Sequence, residues 1–275
     1  IISDGWSRAN LCKEVSQTYN DLVSGTFSPK EPGYLQFSDY TAWQENRFKS
    51  QTFESHMKYW ESKLGGNLEP INLPVDFERR KKISTKGHSI IQPLDNRLID
   101  QLREVAKSGG VTLFMIALAA FKTLLHRYTG QTDLVVGTPI ANRNRPEVEG
   151  MIGCFINTLA IRCDLQGDPS FHELLGRIKE ATVEAYMHQE VPYERLAGKL
   201  TVDRTSNRNP VFQTIFALQD FPEVRMSLND VSSTEWEVST HTSKIELYVN
   251  LEQRNGSWVS VFEYNTDLFR EETIR

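Results

Sequence analysis

The residues best suited to chemistry open the chain, in Ile1-Ile2-Ser3-Asp4-Gly5-Trp6-Ser7. Asp4 has two readings. A carboxylate in a strand-to-helix turn caps the helix that begins near Trp6 by accepting a backbone N–H. Alternatively, it pairs with a basic side chain and holds the turn in one orientation. Arg143, in Pro139-Ile140-Ala141-Asn142-Arg143, is the candidate partner, against the alternative of a solvated loop arginine. Gly5 is either a turn glycine or a point of close backbone approach whose N–H faces a developing oxyanion. Trp6 favours a core position. Asn157 ends a short polar step in an apolar strand, where a buried amide needs partners from a channel or from backbone. Asn209 precedes Pro210, a pair that commonly starts a turn.

Other chemistries find no support. His56, His88, His126, His172, His188 and His241 share no H-E-x-x-H or related spacing, so no metal is expected. His188 ends a helix, where a cationic imidazole favours the dipole. Gly137 and Gly153 form neither a phosphate-binding loop nor a dinucleotide fingerprint.

The elements that must position these residues follow from periodicity. A helix over residues 7 to 22 puts Leu11, Val15, Tyr19 and Leu22 on one stripe. A long amphipathic stretch over 34 to 64 carries Phe53, Met57, Trp60 and Leu64 on one face as core, stopped by Gly65-Gly66. Residues 67 to 87 read as an extended linker, with Pro70 and Pro74 and a charged, solvated run at 78 to 82. Asp95 caps a helix with Leu98, Ile99, Leu102, Val105 and Ala106 facing the core. The helix over 112 to 128 is apolar nearly all round and is expected under a sheet. Strands are expected over 134 to 140, 155 to 165 and 211 to 218, and a helix capped by Ser170 runs to about 189. Strands 245 to 252 and 257 to 264 meet at Asn255-Gly256, a hairpin signal. The expected class is α/β, a mixed open sheet covered by helices.

Composition narrows the partners. Lys and Arg number 31 against 36 Asp and Glu, a formal charge of -5 with no basic stripe, so nucleic acid is not expected. A 39% hydrophobic share of 275 residues suffices for one or two cores. Cys12, Cys154 and Cys163 are odd in number without C-x-x-C spacing, which suits a reduced cytoplasmic protein with buried thiols. The longest apolar run, 111 to 125, falls short of the roughly 20 residues a membrane span takes, and no secretory signal is expected. The chain reads as part of a longer polypeptide.

Five segments in this order resemble the condensation domains of nonribosomal peptide synthetases. Ile1 to Ser7 is similar to the tail of the family's H-H-x-x-x-D-G motif, with both histidines falling immediately before residue 1. Tyr34-Leu35-Gln36-Phe37-Ser38-Asp39-Tyr40-Thr41-Ala42-Trp43-Gln44 is similar to its Y-x-D-F-A-x-W-Q helix start. The third is Val136-Gly137-Thr138-Pro139-Ile140-Ala141-Asn142-Arg143, continuing to Met151-Ile152-Gly153-Cys154-Phe155-Ile156-Asn157-Thr158. The fourth is His188-Gln189-Glu190-Val191-Pro192-Tyr193-Glu194-Arg195-Leu196. The fifth is Asp203-Arg204-Thr205-Ser206-Asn207-Arg208-Asn209-Pro210-Val211-Phe212-Gln213.

The resemblance implies a V-shaped pair of chloramphenicol acetyltransferase-like lobes with a tunnel between them. Residues 1–80 would be the last part of the first lobe and 81–275 the second. It implies amide formation between a donor acyl or peptidyl thioester and an acceptor aminoacyl thioester. Both would be carried on the 4′-phosphopantetheine arms of upstream and downstream peptidyl carrier domains, beside an adenylation domain, with no cofactor bound directly. Asp4 and Gly5 then belong to the catalytic turn, with Asp4 structural and Arg143 its partner. Trp6, Asn157 and Asn209 become candidate substrate contacts. Without the motif's histidines, residues 1–275 alone would be inactive. Epimerisation of a carrier-bound residue and a non-catalytic docking module are the alternatives.

Overall fold

The computed structural model describes residues 2–29, 35–80, 84–200, 208–219, 226–234, 236 and 238–275. Ile1, Tyr34, Lys81, Lys82 and residues 203–207 of the fifth segment lie outside the described residues. In chain order the elements are α1 (Gly5–Val23), α2 (Phe37–Arg47), α3 (Gln51–Leu64), β1 (Gly87–Pro93), α4 (Asn96–Gly109), α5 (Leu113–Thr129), β2 (Asp133–Ile140), α6 (Pro146–Glu149), β3 (Asn157–Asp164), α7 (Phe171–Met187), α8 (Tyr193–Lys199), β4 (Thr214–Gln219), β5 (Leu247–Arg254), β6 (Ser257–Asn265) and α9 (Glu271–Ile274). They gather into two compact units. The first comprises Ile1–Ser55, Ile140–Asn157 and Pro222–Val238; the second comprises His56–Pro139, Thr158–Phe221 and Ser239–Arg275.

The first unit is built on helices and loops. Its buried centre is Val148, Met151 and Phe155, with Phe37 and Tyr40 packed against them. Phe37 meets Phe155 edge-on, centroids 5.1 Å apart. Gly153 must be a glycine here, because a Cβ would run into the Phe37 ring. On α1 Leu11, Val15 and Leu22 are exposed, and the buried positions are Ser7 and Ser16. The single amphipathic stretch over 34 to 64 is corrected to two helices. Lys49 and Ser50 close tight turns on the carbonyls of Asn46 and Arg47. Ser50 Oγ then accepts the N–H of Phe53 at 3.2 Å, restarting the helix. Phe53 is buried in this unit, and Met57, Trp60 and Leu64, on the part of α3 that belongs to the second unit, are buried as core.

The second unit holds a six-stranded mixed sheet in the order β1-β6-β5-β4-β2-β3, the α/β architecture expected. β4 runs parallel to β5 from Thr214↔Leu247 to Gln219↔Glu252, and to β2 at Gly137↔Ile215. β1 and β5 flank β6 antiparallel. Asn255 and Gly256 have φ of 51° and 78°, the left-handed pair that a two-residue hairpin turn requires. α5 is capped by Thr112 Oγ1 on the Met115 N–H and stopped by left-handed Gly130. It packs on α7, α4 and β4.

α4 starts at its Asp95 cap, but its stripe is only half covered. Ile99 and Ala106 are buried, whereas Leu98 and Val105 are exposed. The linker is extended but not solvated throughout. Buried Ile71 donates its N–H to Gln213 Oε1 at 2.6 Å. Arg79 turns out of the charged run to grip Glu246 with two contacts of 2.5 and 2.8 Å. All three cysteines are free, Cys163 buried, and Cys12 and Cys154 half-buried, so burial of every thiol is corrected. No single helix among the described residues is long and apolar enough to cross a membrane.

Candidate functional site

In the first unit the chain's opening turn is bound to the loop over 143–155 by one polar cluster. Asp4 is the N-cap of α1 in extended conformation, and Oδ1 accepts the Ser7 N–H at 2.8 Å. Oδ2 accepts the Phe155 N–H at 2.9 Å. Arg143 Nη2 donates to Oδ1 at 3.2 Å, with the arginine side chain 1% and the aspartate 4% exposed. Ser7 Oγ donates to the Gly153 carbonyl at 2.6 Å and accepts the Gly153 N–H at 3.0 Å. It also accepts Arg143 Nη2–H at 2.8 Å. Arg143 Nη1 reaches the carbonyls of Val148 at 2.5 Å and Met151 at 2.8 Å. Its guanidinium carbon sits 4.0 Å from the Phe155 ring centroid.

A buried carboxylate without partners would be protonated. Burial does push the Asp4 pKa up, but the N–H groups of Ser7 and Phe155, the Ser7 side chain and the Arg143 charge outweigh it, and the net shift is downward. Donors occupy both oxygens, so the group is an anchored anion and not a proton carrier.

Gly5, the first residue of α1, is exposed, and the space a Cβ would occupy is open. The first N–H groups of a helix have no partner in its own ladder and carry partial positive charge. Trp6 is not core: it is 42% exposed, and its Nε1–H donates to the Glu149 carbonyl at 2.9 Å. The indole is held at its polar end, with the Arg143 guanidinium 5.9 Å from its ring centroid.

The structure thus brings Asp4, Gly5, Trp6 and Arg143 together within one unit. Asn157, buried, begins β3 and ends the Ile140–Asn157 segment of that unit. Asn209 belongs to the second unit. Its Oδ1 accepts the Tyr193 hydroxyl at 2.7 Å, and it stands in the wall of a 240 Å³ cavity. Sequence reasoning missed Ser7, which joins the turn, the loop and the arginine. The signal for it was its place three residues after a capping aspartate, the position whose N–H the cap binds.

His188 closes the C-terminal end of α7, as expected. Its Nδ1 lies 2.8 Å from His56 Nδ1, within hydrogen-bonding distance. Burial and the facing His56 push its pKa down, with Glu184 opposing. The ring stacks on Tyr59 at 3.8 Å, a packing role.

Comparison with known proteins follows the same lines. The family model described as Condensation domain matches residues 1–275. Chondramide synthase cmdD of Chondromyces crocatus is 38% identical over 274 residues, covering 100% of this chain and 7% of that protein. The chain therefore spans a small part of such curated relatives. A solved complex of the X-domain and OxyB from teicoplanin biosynthesis contains a chain similar at a TM-score of 0.86 and 26% identity, covering 100% of this chain and 62% of that one. The condensation domain from the Monacolin K polyketide synthase MokA shares the fold, with a TM-score of 0.83, 22% identity, and coverage of 98% of this chain and 63% of that chain.

Proposed function

The chain belongs to the condensation-domain family, and on that premise we propose that it serves amide-bond formation between two thioester-bound substrates. The acceptor's α-amine attacks the donor's thioester carbonyl. The C–N bond forms, the C–S bond breaks, the thiol leaves with the carrier arm, and the amine loses its proton. An α-amine has a pKa near 8 and the thioester is already activated, so the work is alignment, exclusion of water and stabilisation of the tetrahedral oxyanion. The H-H-x-x-x-D-G resemblance sets an imidazole just ahead of Ile1, in the role of base, positioning group or stabiliser of the intermediate.

Asp4 is the positioning residue in this reading. The observation that supports it is the buried Asp4–Arg143–Ser7 cluster, which fixes the chain's opening turn. Gly5 supplies an N–H toward the oxyanion, and Trp6, Asn157 and Asn209 contact the substrates. The substrates arrive on 4′-phosphopantetheine arms of peptidyl carrier domains flanking the chain in a cytoplasmic synthetase that also holds an adenylation domain. The lobe division at 80 and 81 is part of the same proposal.

A second reading, a docking module without chemistry, draws support from the X-domain likeness, because that protein is solved in complex with OxyB. One assay separates the two. The complete domain is mixed with two loaded carriers, and dipeptidyl-carrier formation is followed by intact mass. We expect product, reduced at least about a hundredfold in rate by Arg143→Ala through misplacement of the turn. Retained carrier binding with no product from the wild type would instead establish the docking module.

A further inference from the structure

A cavity of 240 Å³ in the second unit is walled by Arg79, Arg80, Arg208, Lys244, Glu246 and Asp267. Four cations thus face two carboxylates, and both carboxylates are already engaged. Glu246 is held by both terminal nitrogens of Arg79, at 2.5 and 2.8 Å. Asp267 takes Arg80 at 3.4 Å. Arg208 reaches Glu246 only at 3.9 Å, and its Nη1 donates to the neutral Asn72 Oδ1 at 2.8 Å. Lys244 stands exposed on the rim.

Among the described residues, Arg208 shares the Glu246 carboxylate with Arg79, so the four cations of the wall exceed its two carboxylates by two charges. The Arg208 side chain is 16% exposed. Burial and the neighbouring Arg79 push its pKa down, with Glu246 opposing. Leaving a half-buried cation under-compensated is unfavourable, and a concave site then favours an incoming anion.

We propose that this cavity binds a phosphate group. The volume lies below the roughly 300–1,000 Å³ of pockets that enclose a whole drug-sized ligand, so it suits a small group. Two surplus cations balance a phosphate dianion, and a guanidinium presents forked N–H donors to tetrahedral oxygens. Free phosphate, a phosphorylated metabolite and a pantetheine arm all offer that chemistry. The site needs none of the amide-forming reading to exist.

The full chain is titrated at low salt with inorganic phosphate by calorimetry, and in a parallel arm with 4′-phosphopantetheine. Saturable phosphate binding is expected, weakened about tenfold or more by Arg208→Gln, in line with loss of a charge-assisted hydrogen bond. Lys244→Gln should weaken it about threefold, as loss of a rim charge does, and Lys107→Gln should leave it unchanged. Tighter binding of the pantetheine ester than of inorganic phosphate assigns the site to the arm, and equal binding assigns it to phosphate in general. Absence of saturable binding overturns the proposal, as does equal weakening by Lys107→Gln. If Arg208→Gln does not fold, exposed Lys244→Gln decides alone.

Discussion

With Oδ1 on the Ser7 N–H and Arg143, and Oδ2 on the Phe155 N–H, Asp4 is stabilised as an anion, so stability must follow its titration. Its folded pKa lies below the ordinary 3.8, and in that window the unfolded chain holds more protons. The contribution is complete above about pH 4 and is lost as pH falls through the folded pKa. Asp4→Asn should therefore destabilise at neutral pH, and its deficit in urea unfolding should shrink as pH falls from about 6 to about 3. A deficit independent of pH would mean that the charge is not what the cluster uses.

Ser7 makes a separate contribution. Ser7→Ala leaves the Gly153 N–H and one Arg143 N–H without their acceptor, a loss of about 1–3 kcal/mol. Its signature beyond stability is an upward move of the Asp4 pKa, read by carboxyl NMR titration. A midpoint shift with the Asp4 pKa unmoved would reduce Ser7 to packing.

Lys122 shows how a single polar residue can join elements. The helix α5 is apolar nearly all round, yet Lys122 is fully buried, and its Nζ donates to Leu134 of β2 at 2.7 Å and to Ile161 of β3 at 2.8 Å. Burial pushes its pKa down to about 8, against the raising influence of Cys163 and Asp133. A base with a depressed folded pKa leaves the unfolded chain holding more protons between that value and the ordinary 10.5, so stability rises with pH across that window. The stability of wild type relative to Lys122→Met should accordingly grow from about pH 8 to about pH 10. A flat difference would mean that the buried amine keeps its proton across that window, as the unfolded one does.

The element boundaries that sequence carried well all had a local code: Asn255-Gly256 for the hairpin, Thr112 and Gly130 around α5, and Ser170 before α7. β1 had none, because Ile90 is buried and its neighbour Ile91 exposed within a seven-residue strand of polar company. Seven-residue α8 is too short to show a period. On α4 periodicity named the inward face but not how wide a face the neighbours cover. At the site, the two readings of Asp4 were posed as rivals, whereas a carboxylate has enough lone pairs to cap a helix and meet a guanidinium at once. Ser7 stayed hidden because a serine at the third helical position is ordinary until a loop 146 residues away in sequence closes on it.

The molecule distributes its order unevenly, and that bears on how the site would fail. The first unit has a small apolar centre around Val148, Met151 and Phe155, and its segments are fastened by the Arg143 hydrogen bonds to Asp4, Ser7, Val148 and Met151. The second unit rests on a six-stranded sheet with α5 against it, and nothing in that sheet needs the arginine. Local openings of low free energy are drawn from parts with few buried contacts. Removing one partner of a buried ion pair is destabilising by about 3–5 kcal/mol. Arg143→Ala should therefore release hydrogen-exchange protection in α1 and in the amides of Gly153 and Phe155, while β5 and β6 keep theirs. If protection fell equally in the β5–β6 hairpin, the unit would not open on its own, and the loss of activity expected from this variant would have to be read as global unfolding and not as a displaced turn.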